Sequence, residues 1–158
     1  MIKRGEIYLR TTPSVLDVAK YLLERLGPMS AMKLEKLVYY CQAWSLVWDE
    51  RPMFSEHIEA WASGPVVPAL YEHHRGKFLV DKDCIPGNTS VLDKDAVDTI
   101  EAVIDFYGDK SAQWLSDLTH SEDPWKNARQ GVPDGARCQN EITLAAMEEY
   151  YSSLSSDD

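Results

Sequence analysis

The side chains best suited to hold a metal or to start covalent chemistry are His57, His73, His74, His120, Cys41, Cys84 and Cys138. Their spacing assembles neither. Ligands close on one ion when they stand as a Cys-x-x-Cys pair or as His-Glu-x-x-His along one helix face, and neither pattern occurs. His73 and His74 are adjacent and project to different sides of a helix, so the histidines are read as solvated or capping side chains. Ser63 stands in Ala-Ser-Gly-Pro, which is not the Gly-x-Ser-x-Gly elbow of a serine nucleophile. Cys41 falls inside an apolar stripe, where a buried thiol is inert. His120 with Glu122 or Asp123 could pair as base and orienter, but a His just past a helix end beside acidic residues is more often a hydrogen-bonded hinge, and it is read as one. No glycine-rich phosphate loop occurs. No catalytic residue, metal or cofactor is expected.

Several elements must position these residues. Pro13-Ser14 opens a helix with Val15, Val18, Ala19, Leu22 and Leu26 on one stripe, and Gly27-Pro28 stops it. Ser30 caps a second helix over about 31–48. Its stripe of Leu34, Leu37, Val38, Cys41, Trp44 and Trp48 is flanked by further apolar residues, so it reads as the central buried helix. Asp49 to Ser55 is a loop, and Ile58 to Trp61 is short enough to be extended. Ser63-Gly64-Pro65 breaks the chain, with Pro65 opening a short helix over about 66–75. A brief strand is expected at Phe78-Leu79-Val80. Asp93 caps a helix over 94–107, Ser111 starts another, a short one begins near Glu122 to Trp125, and Asn140 caps the last. The fold expected is mainly α: a compact single domain of six or seven helices with at most a minor β element. Residues 1–151 form that domain, and 152–158 a flexible acidic tail.

Charge and composition narrow the function. The chain has 158 residues, of which 44% are hydrophobic and 27% charged, with a net charge of −10. That is a globular composition, and its sign disfavours duplex nucleic acid as a partner, since displacing counterions from phosphates needs positive charge. Residues 1–36 run against the average: seven basic against four acidic side chains give +3, leaving −13 on the rest. They are read as a solvated basic face. Three widely spaced cysteines make no disulfide framework, no secretory leader opens the chain, and the most apolar run, Leu37 to Trp48, is too short to span a bilayer. The cytoplasm is the compartment expected, with no membrane partner.

Five Trp, eight Tyr and three Phe remain to be placed. Most belong in a core, where Gln42 and Glu59 are suited to satisfy their N–H and O–H groups. The rest suit an interface, because Trp and Tyr join apolar area to a polar handle. Trp48, Phe54, Trp61 and Tyr71, which flank the Gly64 turn, are the expected partner anchors. By elimination, the residues alone lead one to expect a binding role, with a protein the favoured partner.

Three segments carry this further. They are Met32-Lys33-Leu34-Glu35-Lys36-Leu37-Val38-Tyr39-Tyr40-Cys41-Gln42-Ala43-Trp44; Pro52-Met53-Phe54 with Ile58-Glu59-Ala60-Trp61-Ala62-Ser63-Gly64-Pro65-Val66-Val67-Pro68 and Tyr71; and Leu115-Ser116-Asp117-Leu118-Thr119-His120 with Glu122 and Pro124-Trp125. In this order and spacing they resemble the Panacea-domain family, which includes SocA-like antitoxins and GepA-like phage-associated proteins. The resemblance implies a helical, non-enzymatic module that neutralises a cognate toxin, encoded next door, by direct binding. It also implies, as an alternative, an adaptor that delivers the toxin to an ATP-dependent Clp-type protease, or a phage-associated protein-binding role. Lys33, Leu34, Lys36, Leu37, Tyr39, Gln42, Trp44, Glu59, Trp61, Gly64, Pro65, Val66, His120, Pro124 and Trp125 match the family pattern and are expected to be mostly structural.

Overall fold

Residues 12–155, which the computed structural model describes, begin with a capping box. Ser14 Oγ accepts from the Leu16 amide, and the Asp17 carboxylate accepts from the Ser14 amide at 2.9 Å. These bonds satisfy amides that a first helical turn leaves orphaned. Helix α1 (Val15–Leu26) follows, with Val15, Val18, Ala19 and Leu22 completely buried, and Gly27 ends it at φ +82°. Strand β1 (Met29–Ser30) leads straight into α2 (Ala31–Trp48), where Ser30 Oγ caps the Lys33 amide.

Helix α2 is the spine. Twelve of its 18 residues are buried, and it packs against most of the elements that follow. A helix apolar on one stripe needs one neighbour; a helix covered on nearly every side must sit inside. Next come β2 (Ile58–Trp61), β3 (Gly64–Val66), α3 (Pro68–His74) and β4 (Leu79–Val80). After two 3-10 turns come α4 (Lys94–Tyr107), α5 (Ala112–Ser121), α6 (Asp123–Ala128), β5 (Glu141–Ile142) and α7 (Leu144–Ser155). The strands form two small antiparallel sheets: β1 with β4, and the order β3-β2-β5, in which Trp61 pairs with Gly64 and Ile58 with Ile142. The fold is mainly α, with seven helices among the described residues. One hydrophobic cluster runs from Val15 to Tyr151.

Four expectations need correction. Pro65 opens no helix: it lies in β3, and the helix starts at Pro68, which takes the first helical position where a missing N–H costs nothing. Asn140 does not cap the last helix. Its carbonyl accepts from the Ala60 amide, its side chain donates to the Ala128 carbonyl, and α7 starts after Thr143, whose hydroxyl accepts from the Ala146 amide. That helix continues to Ser155, so residues 152–155 are helical rather than tail; residues 1–11 and 156–158 lie outside the described residues. Nor is the basic stretch a solvated face in its described part. Lys20 donates to the Lys82 and Ile85 carbonyls, Lys33 to the Gly108 carbonyl, Arg25 pairs with Glu101 at 2.6 Å, and Lys36 is completely buried.

Candidate functional site

Two strands and the start of the spine helix meet at the Gly64 turn. Gly64 has φ +119°, a conformation that a side chain resists, and a Cβ there would stand 2.5 Å from Cε of Lys36. The turn therefore lies directly on the lysine stem. The Lys36 ammonium is buried and donates to the Pro65 carbonyl at 3.3 Å. Burial lowers its pKa to about 8, and neighbouring Glu35 pulls the other way.

Beside it, Glu35 and His74 face each other in the interior. His74 Nε2 stands 2.7 Å from Glu35 Oε2, and Glu35 Oε1 accepts from the Val67 amide at 2.9 Å. His74 is thus neither solvated nor capping: its ring fastens α3 onto α2. His57 is exposed and meets Glu59 at 2.8 Å.

Glu59 also accepts from Trp61 Nε1 at 2.8 Å, the aromatic-satisfying role expected of it. Gln42 satisfies backbone instead: its oxygen accepts from the Met53 and Phe54 amides, and its nitrogen donates to the Phe54 carbonyl. Trp61 packs edge-on against Tyr71, with ring centroids 4.9 Å apart. These two anchors come together on the outside of the turn. The other two do not join them. Phe54 is completely buried and is corrected from anchor to core residue. Trp48 is half exposed and stacks on Trp44, but it lies at the far end of α2, about 24 Å along the axis from Met32 at 1.5 Å per residue.

His120 and Trp125 hold the turn from below. Trp125 donates to the Trp61 carbonyl at 2.8 Å and stacks on the His120 ring, with centroids 4.0 Å apart. His120 Nε2 is buried and has no partner among the described residues. Burial and then the Lys36 charge press the His120 pKa down, so the ring is held neutral. Glu122, one of the two carboxylates that could have oriented it, accepts from the hydroxyls of Tyr40 and Tyr151 instead. Ser63 offers its carbonyl to Ser116, and burial pushes the Cys41 thiol far up. Among the described residues no group of three His, Cys, Asp or Glu side chains could share a metal ion. No described helix is long and apolar enough to cross a membrane.

One residue of this site carried no signal in the sequence. Arg129 is buried under the Trp125 ring, and its guanidinium donates to the carbonyls of Ala60, Pro133 and Ala136. It ties the 130–138 loop to the sheet. A charged residue near glycines and prolines reads as exposed, and nothing in its neighbours says otherwise.

Above this packing lie two shallow grooves that share Trp61, Ser63 and Tyr71. One, of about 430 Å³, runs over the start of α2 between Met32, Phe78 and the Glu35–His74 pair. The other, of about 700 Å³, passes between Glu59, Arg75 and Arg137. What the arrangement offers chemically is an aromatic-lined surface, with Lys36, Glu35 and Arg129 bonded beneath it and His120 Nε2 buried without a partner among the described residues.

Two comparisons with known proteins bear on this chain. The family described as "Antitoxin SocA-like, Panacea domain" matches residues 34–126, from the spine helix to the Trp125 junction. Antitoxin SocA of Caulobacter vibrioides (strain NA1000 / CB15N) is 32% identical over 124 residues, covering 68% of this chain. The aligned part is 66% of that protein's own length. No solved structure matches.

Proposed function

We propose, from the premise that this chain belongs to the SocA-like Panacea antitoxin family, that it neutralises a cognate toxin by direct binding, without catalysis and in the cytoplasm. The observation that carries the reading is where the family match falls. It covers the spine helix, the Gly64 turn and the His120–Trp125 junction, the parts that build the aromatic grooved surface. A binding module needs such a surface held rigid, so that little freedom is lost on association. Paired acid, base and nucleophile would serve an enzyme; two carboxylates of this region serve structure instead, Glu35 on His74 and a backbone amide, Glu122 on two tyrosines.

The test is a growth assay with the adjacent open reading frame. Inducing it alone is expected to stop growth, and inducing it with this chain, affinity-tagged, to restore growth and co-purify the toxin. A toxic neighbour that the chain neither rescues nor retains would overturn the reading. A toxin half-life that is the same with and without Clp-type protease separates blocking from delivery.

A further inference from the structure

Exposed apolar side chains and uncommitted positive charge coincide around Phe78. Phe78 is 82% exposed and Leu79 60%, with Met32 beside them on the rim of the 430 Å³ groove. Large apolar side chains in that state gather where something docks. They are not loose ends: Phe78 offers its carbonyl to the Ala31 amide at 2.8 Å, and Leu79 pairs with Ser30 in the sheet. Trp61 and Tyr71 form the opposite wall, fixed by the turn and by the Glu35–His74 contact.

Charge selects the occupant. Lys77 lines the groove beside Phe78, and exposed Arg75 stands just before it in the chain, on the wall of the neighbouring groove; neither has a hydrogen bond or ion pair through its side chain among the described residues. The described cations of the first 36 residues are in contrast all committed or buried. Lys36 lies under the same groove, where a charge cut off from water is poorly screened. Glu35 lines the groove too and offsets Lys36, so the exposed charge left uncommitted there is Lys77, with Arg75 at the border of the next groove, on a chain of net charge −10. Complementary charge selects partners and fixes register, while apolar anchors supply affinity.

We infer that the groove between Met32, Phe78, Trp61 and Tyr71 docks an apolar segment of a partner protein flanked by acidic residues, whose carboxylates meet Arg75 and Lys77. That the partner is a toxin rests on the reading above; the chemistry of the segment does not. The net charge alone favours the opposite, a basic segment.

Two short blocked peptides decide between them: both carry Leu-Phe at the centre, one flanked by glutamates and the other by lysines. Each is titrated into the intact protein while backbone amide resonances are followed by NMR. The glutamate peptide is expected to move the amides of Met32, Gly76 and Phe78 and to bind at least about tenfold more tightly than the lysine peptide. Raising salt weakens it. Arg75→Glu with Lys77→Glu reverses the preference, and Phe78→Ser weakens the glutamate peptide; all three positions are exposed, so the fold is retained. The lysine peptide binding as well or better overturns the inference, as does a glutamate peptide that leaves those amides unmoved or moves those around Trp48 instead. Self-association of the free chain that Phe78→Ser abolishes assigns the groove to a second copy and overturns it too. These arms use the protein alone, so their failure falls on the groove. A wild-type chain that fails to rescue growth falls on the antitoxin reading.

Discussion

Lys36 is a buried charge that the fold holds at a cost. Its charge is out of water, and its one acceptor is a carbonyl at 3.3 Å. Because its folded pKa is about 8, below the ordinary lysine value of 10.5, the unfolded chain binds more protons between those two values. Stability therefore rises with pH through that window. Tyr39, Tyr40 and Tyr151 act the other way: their pKa values are raised by burial, so their contribution is lost above about pH 10. Lys36→Met keeps the stem under Gly64 and removes the charge. We expect it to be more stable than wild type at pH 7 by about 1–2 kcal/mol, since a buried charge without full partners costs more than it returns. That advantage is expected to shrink between pH 8 and 9.5. Urea titrations of the two proteins at several pH values check both statements. The family pattern singles out Lys36 as a matched position, but a charged residue between apolar neighbours gives no sign of its burial. The partnership of Glu35 with His74 is hidden for the same reason: it joins residues 39 apart in sequence.

At the scale of elements, α2 was legible from its apolar residues alone, because an 18-residue helix with hydrophobic side chains on most sides has one place to go. The short strands were less so. β3 contains a glycine and a proline in its three residues, both of which weigh against a strand, and it exists because β2 pairs with it. Of the expected anchors, Trp61 and Tyr71 share a face while Phe54 is interior, because the Gln42 amide pins the Met53–Phe54 backbone inward. The last helices are fastened to α2 by a polar cluster. Tyr39 and Tyr151 hydroxyls lie 3.0 Å apart, and Tyr151 and Tyr40 both donate to Glu122 Oε1, at 2.8 and 2.7 Å. Burial raises the Glu122 pKa against these two bonds. Its contribution is thus fully present below the ordinary glutamate range and is lost as pH rises through the raised value. Glu122→Gln keeps an acceptor for both tyrosines, and we expect it to fold and to flatten that part of the pH profile. Tyr151→Phe leaves Tyr39 and Glu122 each short of a partner, and is expected to cost about 1–2 kcal/mol in a denaturant titration.

For the molecule as a whole, charge placement matters more than its sum. The net −10 is the sign expected to repel a phosphate backbone. Of the basic side chains described in the first 36 residues, those that reach the surface are tied to carbonyls or to Glu101. A duplex DNA fragment is accordingly expected to show no retardation in a gel shift even at low salt; a shifted band would overturn this.

The Tyr39–Tyr151 bond also sets a schedule. It closes over 112 residues of chain, and α7 is one of the principal covers of the spine helix. A ribosome adds about 5–20 residues each second, so α2 waits on the order of 5–20 s after its own synthesis for its last cover to emerge. During that interval the tyrosine face of α2 is open to whatever chaperone, protease or partner arrives first. A message cut short before Tyr151 would leave it open for good, so the cell's first judgement on this protein is made while it is still being translated.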